Sequence, residues 1–245
     1  MRCWNPRTSQ IVKEVRKFNP AEVILLPLYP QYSATTSGSS INEWKEICKI
    51  ENFNVKTSTF CCYPTDNSFI DAHINEIKKK VNNINNFKLI FSAHGLPEKN
   101  IKNGDPYQWQ VEQTVDKIVK KINIENLDYI LSYQSRVGPL KWIGPSTESV
   151  IIENSKFGKH IVLVPIAFVS EHSETLVELD IEYKKLAEQY GCKNYTRVPA
   201  LGVNESFIKS LLKLILNKEA YKFKEGLYSP KIQCPSKFKK CPCTQ

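Results

Sequence analysis

The sequence of 245 residues carries 34 Lys and Arg against 25 Asp and Glu, a formal charge of +9. Its 41% hydrophobic and 24% charged residues are ordinary for a protein that buries a core, and nine glycines without any repeat exclude collagen-like and solenoid classes. The charge is uneven, because nine lysines and two glutamates in residues 209–245 contribute +7 of it.

Short apolar runs alternate with helical patterns along the chain. Helices are predicted at 9–18, 71–82, 108–122, 146–154, from about 170 onward, and at 205–216; strands are predicted at 23–28, 89–92, 129–133, 160–168 and 195–198. Strands that are apolar on both faces and separated by helices are typical of parallel sheets. The sequence therefore predicts the α/β class.

Polar residues follow four of the predicted strands, at 29–33, 92–95, 134–135 and 170–172. Ligands of parallel sheets bind beyond the carboxyl ends of the strands, so these segments are candidate site residues. Since the chain has no glycine-rich phosphate loop, nucleotide binding has no support.

A histidine ends one of these strands. His94 is followed by Gly95, which permits close approach of another group. A neutral imidazole there can accept a proton or bind a metal, whereas a lone histidine often only satisfies local backbone groups. The position at a strand end favours the chemical role.

Carboxylates repeat along the following segment. Glu171, Glu174, Glu178 and Glu182 fall at i, i+3, i+7 and i+11, which an α-helix places on one face. A solvated face usually carries both signs of charge, but no basic residue interrupts this run. The stripe therefore favours passage of a divalent cation or protons, because oxygen ligands and histidine suit Fe(II)-like ions.

The eight cysteines, with no apolar leader pattern, indicate reduced thiols or a metal cluster. Cys234, Cys241 and Cys243 have C-x6-C-x-C spacing in the basic tail. Three thiols can ligate zinc or an iron–sulfur cluster, and both usually need a fourth ligand. The pair Cys61-Cys62 is the candidate source, and free thiols in a disordered tail are the alternative.

Several aromatic residues sit in or beside the polar strand ends. As a set they favour a wall for a large, flat, apolar ligand, although each alone fits core packing. They are Tyr29, Tyr32, Tyr107, Trp109, Trp142 and Phe168.

Taken together, these segments resemble the ferrochelatase family, the terminal enzymes of haem synthesis, in its proteobacterial form. The resemblance extends in family order from residue 1 to about residue 225. The matching stretches are LYPQYS (28–33), FSAHGLP (91–97), GDPY (104–107), YQSRVGP (133–139), WIGP (142–145) and PIAFVSEHSETLVELD (165–180).

The resemblance implies two chelatase-like (Rossmann/flavodoxin-type) parallel-sheet domains, residues 1–80 and 81–225, with a porphyrin in the cleft between them and a Lys/Cys-rich tail at 226–245. It implies insertion of Fe2+ into protoporphyrin IX to form protohaem, with release of two protons. A rigid pocket would hold the porphyrin in a puckered form.

The resemblance also implies residue roles. His94 and Glu174 correspond to the catalytic pair and to candidate metal ligands, and Glu171, His172 and Glu178 to an acidic path for metal entry or proton exit. The residues implied at the porphyrin pocket are Arg2, Tyr29, Tyr107, Ser135, Trp142 and Phe168.

Two departures from the family pattern matter. Family members normally carry a further segment before the stretch that matches Arg2, so the first domain is expected to be incomplete. In some relatives a cluster ligand lies just after the LYPQYS stretch, where this chain has Ala34. A [2Fe–2S] cluster held by the three tail cysteines therefore needs Cys62, or its neighbour Cys61, as fourth ligand.

Two alternatives stay open on the sequence: an inactive porphyrin- or metal-binding fragment of a split or truncated ferrochelatase, and a metal chaperone that leaves the aromatic set unexplained. The basic tail allows peripheral association of a cytoplasmic protein with the inner membrane, and equally a solvated tail. No nucleic-acid partner is expected, because the aromatics do not interleave with the lysines.

Overall fold

The computed structural model describes residues 4–81, 86–218, 221–230 and 234–244. The helices are α1 (Thr8–Phe18), α2 (Ser39–Ile50), α3 (Asn67–Val81), α4 (Glu98–Lys102), α5 (Tyr107–Ile122), α6 (Thr147–Ser155), α7 (Tyr183–Gln189) and α8 (Glu205–Leu216), with two π-helices, π1 (Ala34–Gly38) and π2 (Glu174–Glu182). The strands are β1 (Glu22–Leu25), β2 (Lys56–Phe60), β3 (Phe87–His94), β4 (Tyr129–Gln134), β5 (His160–Pro165), β6 (Tyr195–Arg197), β7 (Lys222–Lys224) and β8 (Leu227–Ser229).

The chain divides into two compact units, and the first is discontinuous. It comprises the chain up to Tyr63, the segment Asn103–Tyr107 and the chain from Asn217 onward; the rest forms the second unit. These limits differ from the continuous domains predicted at 1–80 and 81–225, because α3 packs against α8 inside the second unit.

The first unit contains a mixed sheet of order β1-β2-β8-β7. Strands β1, β2 and β8 are parallel, and β7 pairs antiparallel with β8 as a hairpin. The β8 pairing brings the tail against β2, and both Cys234 and Cys241 are buried. The tail residues that the structure describes are therefore packed rather than extended from the fold, and their cysteines are reduced thiols.

The second unit contains a parallel sheet of order β4-β3-β5-β6. Its central strand β3 is apolar on both faces, and Leu89, Ile90 and Phe91 are fully buried, as expected for a parallel strand covered by helices on both sides. One core cluster lies between the sheet and α6, π2 and α7: Ile90, Val150, Ile151, Ile161, Leu163, Leu179, Tyr183, Ala187 and Cys192.

The α/β prediction is confirmed, and most predicted elements of the second unit are present. Helix α8 has the predicted bounds, and α6 begins after Ser146, whose hydroxyl accepts a hydrogen bond from the Ser149 amide (3.1 Å). The helix predicted from about 170 begins later, at Glu174, and is a π-helix. Among the described residues, none of the helices has the length and apolar character needed to cross a bilayer.

Candidate functional site

The polar ends of β3 and β4 meet in the second unit. His94 ends β3 and pairs in register with Gln134, which ends β4. The chain passes from β4 to β5 on the other side of β3, so β3 lies beside the point where the strand order reverses. Such a point is where parallel sheets leave a crevice for ligands.

His94 is held in one tautomer. Its Nδ1 lies 2.7 Å from the Gly95 carbonyl oxygen, which can only accept, so Nδ1 carries the proton. The neutral ring therefore presents the Nε2 lone pair. Nε2 lies 3.6 Å from Glu174 Oε1, and the other oxygen of Glu174 lies 3.8 Å from His172 Nε2.

The contact between His94 and Glu174 shifts the pKa of both residues. The Glu174 carboxylate beside it, partly opposed by burial, raises the pKa of His94 above its usual range. The same contact with His94 lowers the pKa of Glu174. The imidazole is thus a stronger base than a free histidine, and the carboxylate beside it stays ionised at neutral pH.

Glu178 is already saturated with hydrogen bonds. Its Oε1 accepts from the Ser135 amide (2.8 Å) and the Tyr183 hydroxyl (2.8 Å), and its Oε2 accepts from the Ser135 hydroxyl (2.5 Å) and Gln134 Nε2 (3.2 Å). These contacts fix π2 on the end of β4. Ser135 has a positive φ of 57°, which turns its amide toward the carboxylate.

Glu171 is paired with an arginine that the sequence patterns missed. Arg197, at the end of β6, donates to Glu171 Oε1 (2.8 Å) and to Asp180 Oδ2 (2.7 Å). Although burial opposes it, hydrogen bonds from Thr175 and Arg197 lower the pKa of Glu171. The sequence did carry a signal for this contact: an arginine inside a half-buried strand indicates a nearby carboxylate, since arginine is rarely buried without partners.

Three aromatic or small residues complete the surroundings of His94. The Phe168 ring packs at a steep angle against each imidazole, with its centroid 6.2 Å from that of His94 and 4.7 Å from that of His172. A Cβ on Gly95 would lie 3.1 Å from the Trp142 ring, so glycine lets that indole approach. The Trp142 Nε1 is buried and has no hydrogen-bond partner among the described residues.

The other predicted porphyrin contacts belong to the first unit or lie outside the described residues. Tyr29 is 51% exposed, and Tyr107 is buried with its amide donating to Asp105 (3.0 Å). Arg2 lies outside the described part of the chain.

A group of thiols forms a second candidate site, within the first unit. The sulfur atoms of Cys61, Cys241 and Cys243 all lie within 4.8 Å of one another. The Cys61 amide donates to the Tyr228 carbonyl (2.9 Å), which carries the β2–β8 pairing to the point where the tail begins. Ala34 packs against this group and offers no ligand.

Cys62 and Cys234 lie in the same neighbourhood and interact electrostatically. Hydrogen bonds from Cys243 and Cys61 lower the pKa of the Cys62 thiol to about 6, while the neighbouring thiols, Cys241 first, raise the pKa of Cys61. The first thiolate of the group therefore forms readily and disfavours the second. A soft cation would relieve this, since thiolates are its preferred ligands.

Comparisons with known proteins agree with one family. Residues 1–219 match the family model described as ferrochelatase. The chain is 74% identical over 243 residues to the ferrochelatase of Pelagibacter ubique (strain HTCC1062), covering 99% of this chain and 71% of that relative. It is 48% identical over 246 residues to the ferrochelatase of Rickettsia typhi (strain ATCC VR-144 / Wilmington), covering 99% and 70%.

Solved structures resemble the fold at low identity. SirB from Bacillus subtilis with Fe3+ aligns with a TM-score of 0.64 at 14% identity, covering 89% of this chain and 81% of that one. DR2241 from Deinococcus radiodurans, described as similar to chelatases, aligns with a TM-score of 0.54 at 10% identity, covering 91% and 46%. The chelatase-like fold predicted from the sequence is thus confirmed.

Proposed function

Because this chain belongs to the ferrochelatase family of metal-inserting lyases, we propose that it inserts ferrous iron into protoporphyrin IX, forming protohaem and releasing two protons. The observation that carries the proposal is the facing pair at the end of β3, where His94 Nε2 lies 3.6 Å from a Glu174 oxygen. The substrate requires such a pair, because both pyrrole protons must leave as the metal enters.

His94 acts as the proton acceptor in this proposal. Its Nδ1–H is bonded to the Gly95 carbonyl, so Nε2 takes a pyrrole proton and the ring becomes imidazolium. Glu174 stabilises that cation and stays ionised. The imidazolium then loses its proton to solvent past Glu174 and His172, so that His94 can take the second pyrrole proton in the same way. Glu174 and His94 are also the candidate ligands of the entering Fe2+, since carboxylate and imidazole both suit this ion.

The hydrogen bonds divide the predicted acidic path into different roles. Glu178 accepts four hydrogen bonds and Glu171 is bound by Arg197, whereas the Glu174 carboxylate lies beside the two imidazoles. We therefore assign the chemistry to Glu174 and anchoring of π2 to Glu178 and Glu171. Ferrous iron or protons would pass Glu174 and His172.

Trp142, Phe168 and Ser135 are proposed to border the porphyrin in the second unit, and Tyr29 and Tyr107 of the first unit stay predicted porphyrin contacts. The contacts of the Phe168 ring with both imidazoles support this, because a macrocycle that reaches His94 would also meet that ring. A rigid aromatic border holds a puckered porphyrin whose nitrogen lone pair points at the metal.

The test uses the purified chain with protoporphyrin IX and Zn2+, or Fe2+ under anaerobic conditions, and follows metalloporphyrin absorbance. We expect His94→Ala to lower kcat by about a hundredfold or more. The matched control is His160→Ala, because His160 is bonded to Thr196 at the start of β5. Equal losses in both variants would contradict the assignment, and porphyrin binding without turnover by the unaltered chain would favour the inactive-fragment alternative.

We further propose that the thiol group holds a [2Fe–2S] cluster. The residues fit, since three sulfurs lie within 4.8 Å of one another and two more cysteines are adjacent. Cys61, Cys241 and Cys243 are the best-placed ligands, with Cys234 or Cys62 as the fourth. When bound, such a cluster supplies one-electron chemistry and a cross-link between β2 and the tail.

Visible absorbance and the electron paramagnetic resonance of the reduced, anaerobically purified chain test the cluster. Cys61→Ser and Cys241→Ser should lose both signals, whereas Cys48→Ser, in α2, should keep them. Cys62→Ser and Cys234→Ser distinguish the fourth ligand. A colourless chain after reconstitution with iron and sulfide would overturn the proposal.

Peripheral membrane association is proposed from exposed lysines near the end of the chain. Lys237, Lys239 and Lys240 are exposed, and each lysine near an anionic surface contributes about 1 kcal/mol. Replacing all three by glutamine should reduce sedimentation with phosphatidylserine vesicles. The matched control is the same replacement of residues 78–80, three exposed lysines at the end of α3. An equal reduction of vesicle binding in both variants would count against a specific role of the lysines near the end of the chain.

A further inference from the structure

We propose that Arg197 is a positioning residue of the ferrochelatase site: it fixes the segment Glu171–Asp180 so that the Glu174 carboxylate faces His94. The proposal rests on the function proposed for that pair. The Arg197 guanidinium hydrogen-bonds to two carboxylates and one carbonyl of the second unit, and neither imidazole is among these partners.

The guanidinium bridges the two ends of this segment. Its Nε and Nη2 donate to the two oxygens of Asp180 (2.5 and 2.7 Å), inside π2, while Nη1 donates to Glu171 (2.8 Å), before π2 begins. The side chain is only 11% exposed. A planar, bidentate pair of this kind specifies geometry, which a lysine cannot reproduce.

The Glu171 end transmits the constraint to His172. The same Glu171 oxygen accepts from the Ala200 amide (2.9 Å), and Thr175 hydrogen-bonds to Glu171. The Thr175 hydroxyl also accepts from the His172 amide (2.9 Å) and donates to the His172 carbonyl (3.0 Å). The turn that presents Glu174 is therefore tied to β6 through Arg197.

The Asp180 end is reinforced by a second residue of β6. Tyr195 lies two positions before Arg197, hence on the same face of the strand, and its hydroxyl donates to the Leu179 carbonyl (2.7 Å). On the opposite side, the end of β4 holds Glu178. Along the chain, Glu174 lies between Glu171, which Arg197 holds, and Glu178, which Ser135 holds, so we expect its distance from His94 to depend on both contacts.

The charges lead to the same conclusion. Residues 171–182 contain five carboxylates and no Lys or Arg. The single positive charge of Arg197 is shared by Glu171 and Asp180, which leaves Glu174 as the carboxylate facing the imidazoles. Without Arg197, the segment would lose that compensating charge, and Glu171 and Asp180 would repel Glu174 and compete for a cation more strongly.

The test compares Arg197→Met and Arg197→Lys with Lys88→Met. Lys88 is a matched control, because its side chain is 15% exposed, pairs with Asp128 (2.6 Å) and lies at the other end of β3 from His94. In folded Arg197→Met, we expect kcat to fall by about tenfold to a hundredfold with the KM for porphyrin little changed. Arg197→Lys should recover only part of this, and Lys88→Met should match the unaltered chain.

A readout that needs no turnover separates this proposal from the function itself. The His94 ring resonances, followed by NMR at a fixed pH, should shift in Arg197→Met, because Glu174 no longer faces the ring, and should stay unchanged in Lys88→Met. If Arg197→Met fails to fold, Asp180→Asn should give the same kind of change to a smaller degree. Folded variants with unaltered His94 resonances and kcat, or equal losses in Lys88→Met, would overturn the proposal.

Discussion

Asp105 offers a sharp test of how the first unit is held together. Its carboxylate is 1% exposed and joins two segments: Oδ2 accepts from the Ser33 hydroxyl (2.9 Å) and the Ala34 amide (2.9 Å), and Oδ1 accepts from the Tyr107 amide (3.0 Å). In Asp105→Asn, one of these oxygens becomes an NH2 group. Even the better orientation leaves the Tyr107 amide facing another donor.

The magnitude follows from this count. One buried donor loses its acceptor, which costs about 1–3 kcal/mol, and two charge-assisted hydrogen bonds become neutral, which costs about 1 kcal/mol each. We expect Asp105→Asn to lower the free energy of unfolding by about 3–5 kcal/mol in urea denaturation. Since Ala34 packs against the thiol group, faster amide exchange is expected there too.

The matched control is Asp116→Asn, which removes one exposed pair with Lys120 (2.7 Å) in α5. It should cost about 0.5 kcal/mol or less. A loss in Asp105→Asn that equals the loss in Asp116→Asn would refute the reasoning, because burial and the number of donors would then carry no weight.

Three further outcomes are expected. Glu174→Gln should be less stable than the unaltered chain by up to about 1 kcal/mol near pH 5.5, where Glu174 is ionised and His94 is protonated. The difference should vanish at about pH 9, above the raised pKa of His94. Urea denaturation at the two pH values measures the free energy of unfolding, and an equal difference at both would contradict the ion pair. Burial lowers the pKa of His73 to about 3, so below about pH 6.5 the unfolded chain binds a proton that the folded chain excludes. His73→Met should therefore reduce the loss of folding free energy on acidification by up to about 1.4 kcal/mol per pH unit. If the free energy of unfolding depends on pH in the same way in both chains, this ring is not the cause. Gly104→Ala should lower the thermal stability more than Gly158→Ala does. Both glycines have positive φ, but of the two only a Cβ on Gly104 would meet a backbone nitrogen of the tail, at 2.9 Å. Equal losses of stability would show that the strain in φ is the whole effect.

The second unit was largely predictable because its elements carry local patterns. The 3.6-residue period fixed the bounds of α8, and the apolar run at 89–92 located β3, with His94 at its end. Parallel sheets place such ends at one edge, so the candidate site followed from the strands. The first unit was less predictable, since β8 joins the sheet by pairing with β2 across more than half of the chain.

The acidic segment shows why the remaining features escaped prediction. The sequence shows that the segment carries a run of negative charges. The hydrogen bonds that hold Glu178 and Glu171, however, come from the ends of β4 and β6, which are distant from each other in the chain. An α-helical wheel made Glu171, Glu174 and Glu178 equivalent, whereas the π-helix and its anchors make them different. Ser135 and Arg197 identify Glu178 and Glu171 as anchored carboxylates, which leaves Glu174 as the carboxylate proposed to react.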